Sequence, residues 1–203
     1  MTQDQIRHLI EGRVRQDGLT ETGMPGVKLF RTTRSISCVP AVYEPSVVAI
    51  ASGSKEAVLD GARYVYDSSR YLLCPMSMPV KAGTPAASPE TPLFGVYVAL
   101  NPRVMTELSL EMENAGGAVP RASVGPGPHG IRLAHWDAAF ADALLRLVQL
   151  YENKTDSAVL ADARLRELYY AVLKGDAGIF ARQAFGAGNG IARSIAHVSS
   201  NLN

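Results

Sequence analysis

The sequence predicts an α+β chain: a small antiparallel β-sandwich or barrel, followed by a C-terminal layer of α-helices. Three observations carry that expectation. Between Gly26 and Leu100, short runs of β-branched and aromatic residues are separated by Pro, Gly, Asp and Ser, which is the grammar of strands and turns. Asp60-Gly61 separates Val58-Leu59 from the run 63–66, and a tight type I′ hairpin turn, with positive φ at both central residues, favours that dipeptide. At Asn101-Pro102 the texture changes again, to residues spaced as on helices.

The elements follow in order. Ile6, Leu9, Ile10 and Val14 fall at helical spacing and Gly18 follows as a stop, so the chain opens on a short amphipathic helix. Residues 27–32 alternate, 46–51 is a continuous apolar run, and Tyr64-Val65-Tyr66 is a further strand. Residues 70–74, 76–81 and 93–100 supply others, and Pro75, Pro79, Pro85, Pro89 and Pro92 confine them to edges, bends or strand starts. About seven or eight short strands within roughly 75 residues fit a sandwich or a barrel. Asn101 is a good N-cap and Pro102 suits the first helical position, so a helix is expected over 101–114. Residues 116–130, rich in Gly and Pro, read as a loop. Longer helices are expected over 137–152 and over 156–174, the second capped by Asp156 and stopped by Gly175. Shorter ones are expected over 179–185 and 191–202.

In the helix over 137–152, Phe140, Leu144, Leu147, Val148 and Tyr151 make one apolar stripe, which Ala141 and Leu145 widen beyond the usual amphipathic arc. Such a stripe can pack on the sheet alone or also against a second copy of the chain. The extra width points to a homodimer surface at Ala141, Leu144, Leu145 and Val148.

Composition excludes several functions. The chain has 203 residues, 47% hydrophobic and 19% charged, as a globular protein has. Its 20 basic and 19 acidic side chains leave a net charge of +1, evenly spread along the chain, so no part carries the basic surplus that nucleic-acid binding needs. Cys38 and Cys74 are too few for a disulfide framework and lack metal-ligand spacing. Charged residues interrupt the only apolar stretch of the first 23, and no run approaches a membrane span of about 18 residues; a cytoplasmic protein is expected.

The candidates for catalysis are weak. A small barrel could hold a metal on two or three His and a Glu, but His8, His129, His135 and His197 all lie outside the expected strands and no two share ligand spacing. Ser88 and Ser123 lie in Pro-rich loops without a nucleophile-elbow sequence, and His129 and His135 read as loop or capping residues. Gly186, Gly188 and Gly190 imitate a nucleotide-binding loop but follow a helix where a strand is needed, and Gly53-Ser54-Lys55 lacks the upstream Gly of a phosphate-binding loop. No enzyme, metal or cofactor is expected. What remains is a polar-aromatic set suited to a small-molecule cavity, though each member also fits ordinary core packing. Tyr64 and Tyr66 share a strand face, Tyr97 lies opposite Phe94, Val96 and Val98, and Met76 and Met78 share a face.

Tyr43-Glu44-Pro45-Ser46, Gly53-x-Lys55, Tyr64-Val65-Tyr66-Asp67 with Tyr71-Leu72, Met78-Pro79-Val80, and Ala87-Ser88-Pro89 before the strand into Leu100-Asn101-Pro102 form an ordered series. The series resembles the N-terminal domain of AraC-type transcriptional regulators. Residues 144–151, Arg166-Glu167-Leu168-Tyr169-Tyr170 with Leu173, and Ile191-Ala192-Arg193 through Asn201-Leu202 resemble the linker helices that precede that family's DNA-binding region. Ser52 departs from it, standing where many relatives carry Gln.

The resemblance implies a cupin-like, metal-free barrel, or double-stranded β-helix, that senses a small-molecule effector or holds a dimer. It implies two further helix-turn-helix units for promoter DNA, expected after Asn203, so that this chain is the regulatory portion. On that reading, 1–23 is a helical leader, 24–134 the effector-binding barrel with the 101–114 helix and the 115–130 loop, and 135–203 the dimerisation and linker region. Effector contacts are expected at Tyr43 and Lys55, which occupy motif positions, beside Tyr64, Tyr66, Met78 and Tyr97; Lys55 reads equally as a solvated hairpin residue. The alternatives are a metal-independent cupin-like binding protein or enzyme, and a purely structural dimerisation module.

Overall fold

The hairpin forms as read. Asp60 has φ 50° and Gly61 φ 80°, and the turn joins β5 (Ser54–Leu59) to β6 (Ala62–Asp67) with Leu59 opposite Ala62. The structure is a computed structural model that describes residues 2–115 and 130–186; the loop expected over 116–130, but for Gly130, the helix over 191–202, His129, His197 and Gly188-Asn189-Gly190 lie outside it. The described strands make two antiparallel sheets. β1 (Gly18–Glu21), β2 (Val27–Thr32), β9 (Leu93–Ala99), β4 (Ser46–Ser52), β7 (Arg70–Cys74) and β10 (Arg132–His135) form one, in that order. β3 (Ile36–Tyr43) and β8 (Met78–Thr84) join β5 and β6 in the other, ordered β3-β8-β5-β6.

From β3 to β9 the chain changes sheet at every step except the β5–β6 hairpin, which is the winding expected of a double-stranded β-helix. The two sheets face one another, and the described strands close no barrel. Alternation along each strand then divides the core in two. On β9, Phe94, Val96 and Val98 face the helices, whereas Leu93 and Tyr97 face the other sheet. The six-stranded sheet is therefore buried on both faces, which is why β4 reads as an unbroken apolar run.

The helical layer comprises α1 (Thr2–Arg13), α2 (Pro102–Asn114), α3 (Ala138–Gln149), α4 (Lys154–Lys174) and α5 (Gly178–Phe185), with a 3-10 turn at Leu150–Glu152. Asn101 caps α2 and Asp137 caps α3, both through their side-chain oxygens. The cap of α4 is Asn153, so the helix starts earlier than expected and Asp156 sits in its first turn. Tyr71 of β7 stacks on Phe140 of α3 with ring centroids 4.0 Å apart, and Trp136 meets Phe140 edge-on at 5.3 Å. Arg146 of α3 and Arg164 of α4 both reach Glu167, and Arg166 grips Glu111 of α2 through both carboxylate oxygens.

The residues of the expected dimer stripe are covered largely by this layer. Ala141, Leu144 and Val148 are 8%, 0% and 2% exposed within the single chain, and Leu145 is half-buried against the same core. The stripe is wide because α3 packs on α1 and α4 as well as on the sheet. Neither β1, β3 nor β10 was expected. The first helix ends at Arg13, ahead of the expected stop, and Gly18 instead starts β1, which pairs with β2, so the leader contributes a strand to the sheet.

Candidate functional site

Between the sheets, Val48, Ile50, Ala57, Leu72, Val80, Ala82 and Leu93 make an apolar interior. Into it the sequence places an unusual number of polar tips. β5 and β6 pair Lys55 with Tyr66 and Ala57 with Tyr64, so period two sends Lys55, Ala57, Tyr64 and Tyr66 to the inner side and Glu56 and Val65 to the outer. β3 and β8 pair Tyr43 with Met78 on the same inner side. From the opposite sheet, Tyr97 projects from β9 and Phe30 from β2.

Tyr66 is wholly buried, and its hydroxyl lies 3.1 Å from that of Tyr43, where either can donate. Burial pushes both phenols up, Tyr43 to about 12 against a partly offsetting hydrogen bond from Tyr66, so both stay protonated at neutral pH. The Lys55 ammonium stands 5.9 Å over the Tyr43 ring. Burial lowers its pKa, and among the described residues it meets no carboxylate and no hydrogen-bond acceptor. Nearby, the Ser77 hydroxyl donates to Glu44, and the Cys74 thiol donates to the Met76 carbonyl while burial raises its pKa to about 11.

The structure thus brings Tyr43, Lys55, Tyr66 and Met78 together, with Tyr64 and Tyr97 in the same inter-sheet cluster. Met76 does not join Met78: it lies before β8 and is 40% exposed. Phe30 was missed, although Gly95 inside a strand is a signal of close approach. Phe30 and Gly95 are register partners, and a Cβ on Gly95 would fall on the Phe30 ring and 2.8 Å from the Ala49 carbonyl. His135 is a surface residue whose Nδ1 lies 3.0 Å from Asp176. Among the described residues no three His, Cys, Asp or Glu side chains group as metal ligands, and no helix is long and apolar enough to cross a membrane.

A cleft of about 660 Å³ opens elsewhere, lined by Pro25, Asn101, Asp162, Leu165, Arg166 and Tyr169 among others, and by none of the effector contacts expected from sequence. Its polar groups are largely engaged already. Tyr169 donates to the Ala99 carbonyl at 2.6 Å, Asn101 caps α2, and Arg166 is held by Glu111. The inter-sheet cluster, with an ammonium that meets no acceptor, is the stronger candidate.

The profile of the AraC-type transcriptional regulator N-terminus matches residues 23–179, which takes in every element from β2 to α4. The chain belongs to this family. No protein of curated function matches this AraC-type chain. Two solved structures from Vibrio cholerae share its fold. Unsaturated fatty acid-bound wild-type ToxT of strain SCE256 superposes with a TM-score of 0.57 at 9% identity, over 93% of this chain and 66% of that one. ToxT of strain O395 bound to (E)-4-(8-methylnaphthalen-1-yl)but-3-enoic acid gives 0.52 at 11% identity, over 87% and 65%. The AraC-type chain therefore spans slightly less than two thirds of each, and at such identities the likeness is one of fold.

Proposed function

We propose that this chain is the effector-sensing regulatory portion of an AraC-type transcriptional regulator, and that the effector binds between the two sheets against Tyr43, Lys55, Tyr64, Tyr66, Met78 and Tyr97. One observation carries the site: an apolar interior holds a lysine ammonium and a pair of phenol hydroxyls whose hydrogen-bonding capacity the described residues do not use up. Buried polar groups are normally satisfied, so a group left with spare donors marks a place where a ligand completes the set. The two ToxT neighbours, each bound to an apolar-bodied acid, support a small-molecule effector.

The regulator would work by linkage. An effector that binds better to one arrangement of sandwich and helices shifts the population competent for promoter DNA, which would be gripped by helix-turn-helix units outside this chain. No catalysis is assigned, and the setting is cytoplasmic. A second copy would dock on the outward side of α4, where Val159 is 72% and Tyr170 43% exposed three turns apart. A thermal-shift screen with small metabolites tests the reading, since a ligand at 100 times its Kd stabilises by about 2.7 kcal/mol. Tyr43→Ala and Tyr97→Ala are expected to abolish the response to any ligand found; a response unchanged by both puts the site elsewhere.

A further inference from the structure

Resting on that reading of the inter-sheet site, we infer that the effector carries a carboxylate, received by Lys55 Nζ together with the free O–H of the Tyr43–Tyr66 pair. The argument is a count of donors and acceptors. Lys55 offers three N–H donors and no acceptor. Tyr43 and Tyr66 offer two O–H donors, of which the contact between them, 3.1 Å apart, uses one. Both phenols remain protonated at neutral pH, so they stay donors. The site is rich in donors, and nothing described within it carries negative charge.

The neighbouring acid cannot serve. Glu56 follows Lys55 on the strand and so points to the outer face, where Arg63 Nε donates to it at 2.6 Å and the Cys38 thiol at 3.1 Å. Three other half-buried cations each face a carboxylate: Lys28 meets Glu21 at 2.7 Å, Arg31 meets Asp17 at 2.8 Å and Arg146 meets Glu167 at 2.6 Å. Lys55 has a ring face in place of one, and a ring face compensates an ammonium for only part of the water it has lost. A carboxylate accepts from an ammonium and a phenol at once in charge-assisted hydrogen bonds. Phe30, Tyr64, Met78 and Tyr97 then supply apolar surface for the body of the molecule.

The test uses matched pairs, octanoate with octanol and benzoate with benzyl alcohol, titrated into the purified chain and read by calorimetry and melting temperature at constant chloride. At least one acid is expected to bind about tenfold or more tightly than its alcohol, in keeping with a charge-assisted bond. Lys55→Met is expected to erase that preference by weakening the acid far more than the alcohol, and Lys55→Arg to keep most of it. Lys55→Gln serves if the Met variant fails to fold. Acids and alcohols bound equally, neither acid bound, or a preference surviving in Lys55→Met, would each overturn the carboxylate assignment. A neutral ligand whose binding is lost in Tyr97→Ala but not in Lys55→Met would overturn it while leaving the inter-sheet site intact. Acids that bind but ignore both Tyr97→Ala and Lys55→Met would overturn the two together.

Discussion

Leu144→Ala separates the two roles open to the broad apolar stripe of α3. Leu144 is 0% exposed within one chain, in the cluster that joins α1, α3, α4 and the six-stranded sheet. Truncating a leucine so enclosed removes its transfer free energy and leaves a cavity, at a combined cost of about 2–5 kcal/mol. At roughly 3 kcal/mol, against a total stability of about 5–15, the loss is severe. For a chain of this size each kcal/mol lowers Tm by about 2–4 °C, so a fall of roughly 6–12 °C is expected. Leu145→Ala, at the half-buried position beside it, is expected to cost about a third as much or less. Circular dichroism melts measure both, and sedimentation velocity on the same samples reports mass. A Leu144→Ala variant that melts within about a degree of its parent, yet changes mass, would refute the argument and return the stripe to an interface between copies.

Three other outcomes are expected. Gly95→Ala should destabilise by about 1–3 kcal/mol in urea, and Phe30→Leu should recover only part of the loss, because the Ala49 carbonyl 2.8 Å from the new Cβ is backbone and cannot swing away as a ring does. Tyr169→Phe, which removes the hydroxyl donating to Ala99 at 2.6 Å, should cost about 1–2 kcal/mol and speed amide exchange at the N-terminus of α2. The Arg146 hydrogen bond, with Arg164 beside it, holds the Glu167 carboxyl below its usual 4.5, so the unfolded chain takes up that proton first. The clamp's contribution is then complete above about 4.5 and lost as pH falls through the lower folded value; Glu167→Gln should flatten the acid limb of a Tm-against-pH curve, and an unchanged limb would show that the clamp carries no linkage.

The parts of this fold that read clearly in the sequence are those governed by local chemistry. Asp60-Gly61 can hardly be other than a turn, Asn101-Pro102 sets both the cap and the first turn of α2, and the alternation on β9 already separates Tyr97 from Val96 and Val98. What was hidden depends on partners distant in the chain. β3 contains Pro40, changes register between Ile36 and Val39, and has a mixed burial pattern, so its strand character comes from β8, about forty residues on. β10 is four residues long and exists through its pairing with β7. The width of the α3 stripe was legible, but not what fills it, since a helix facing a sheet and two helices shows the same excess as one facing a second copy. At the candidate site, the inward set on β5 and β6 followed from period two. The meeting of Tyr43 with Tyr66 did not, because it spans the opposite edges of a curled four-stranded sheet.

β9 carries consequences for how a signal would leave the interior. Tyr97 looks into the space between the sheets, Val96 and Val98 on either side of it look out to the helices, and the Ala99 carbonyl two residues along is the acceptor for Tyr169 of α4. The wall between the proposed effector site and the helices is therefore one strand thick, with a handle on each side. A displacement of Tyr97 by a bound effector would meet no slack layer on the helix side, where Val96 and Val98 are fully buried. On the proposed reading it would arrive at α4 as a change in the seat of that helix, and through Glu111 and Glu167 at α2 and α3, so the strand would act as a stiff lever where a longer relay of loops would blur the message.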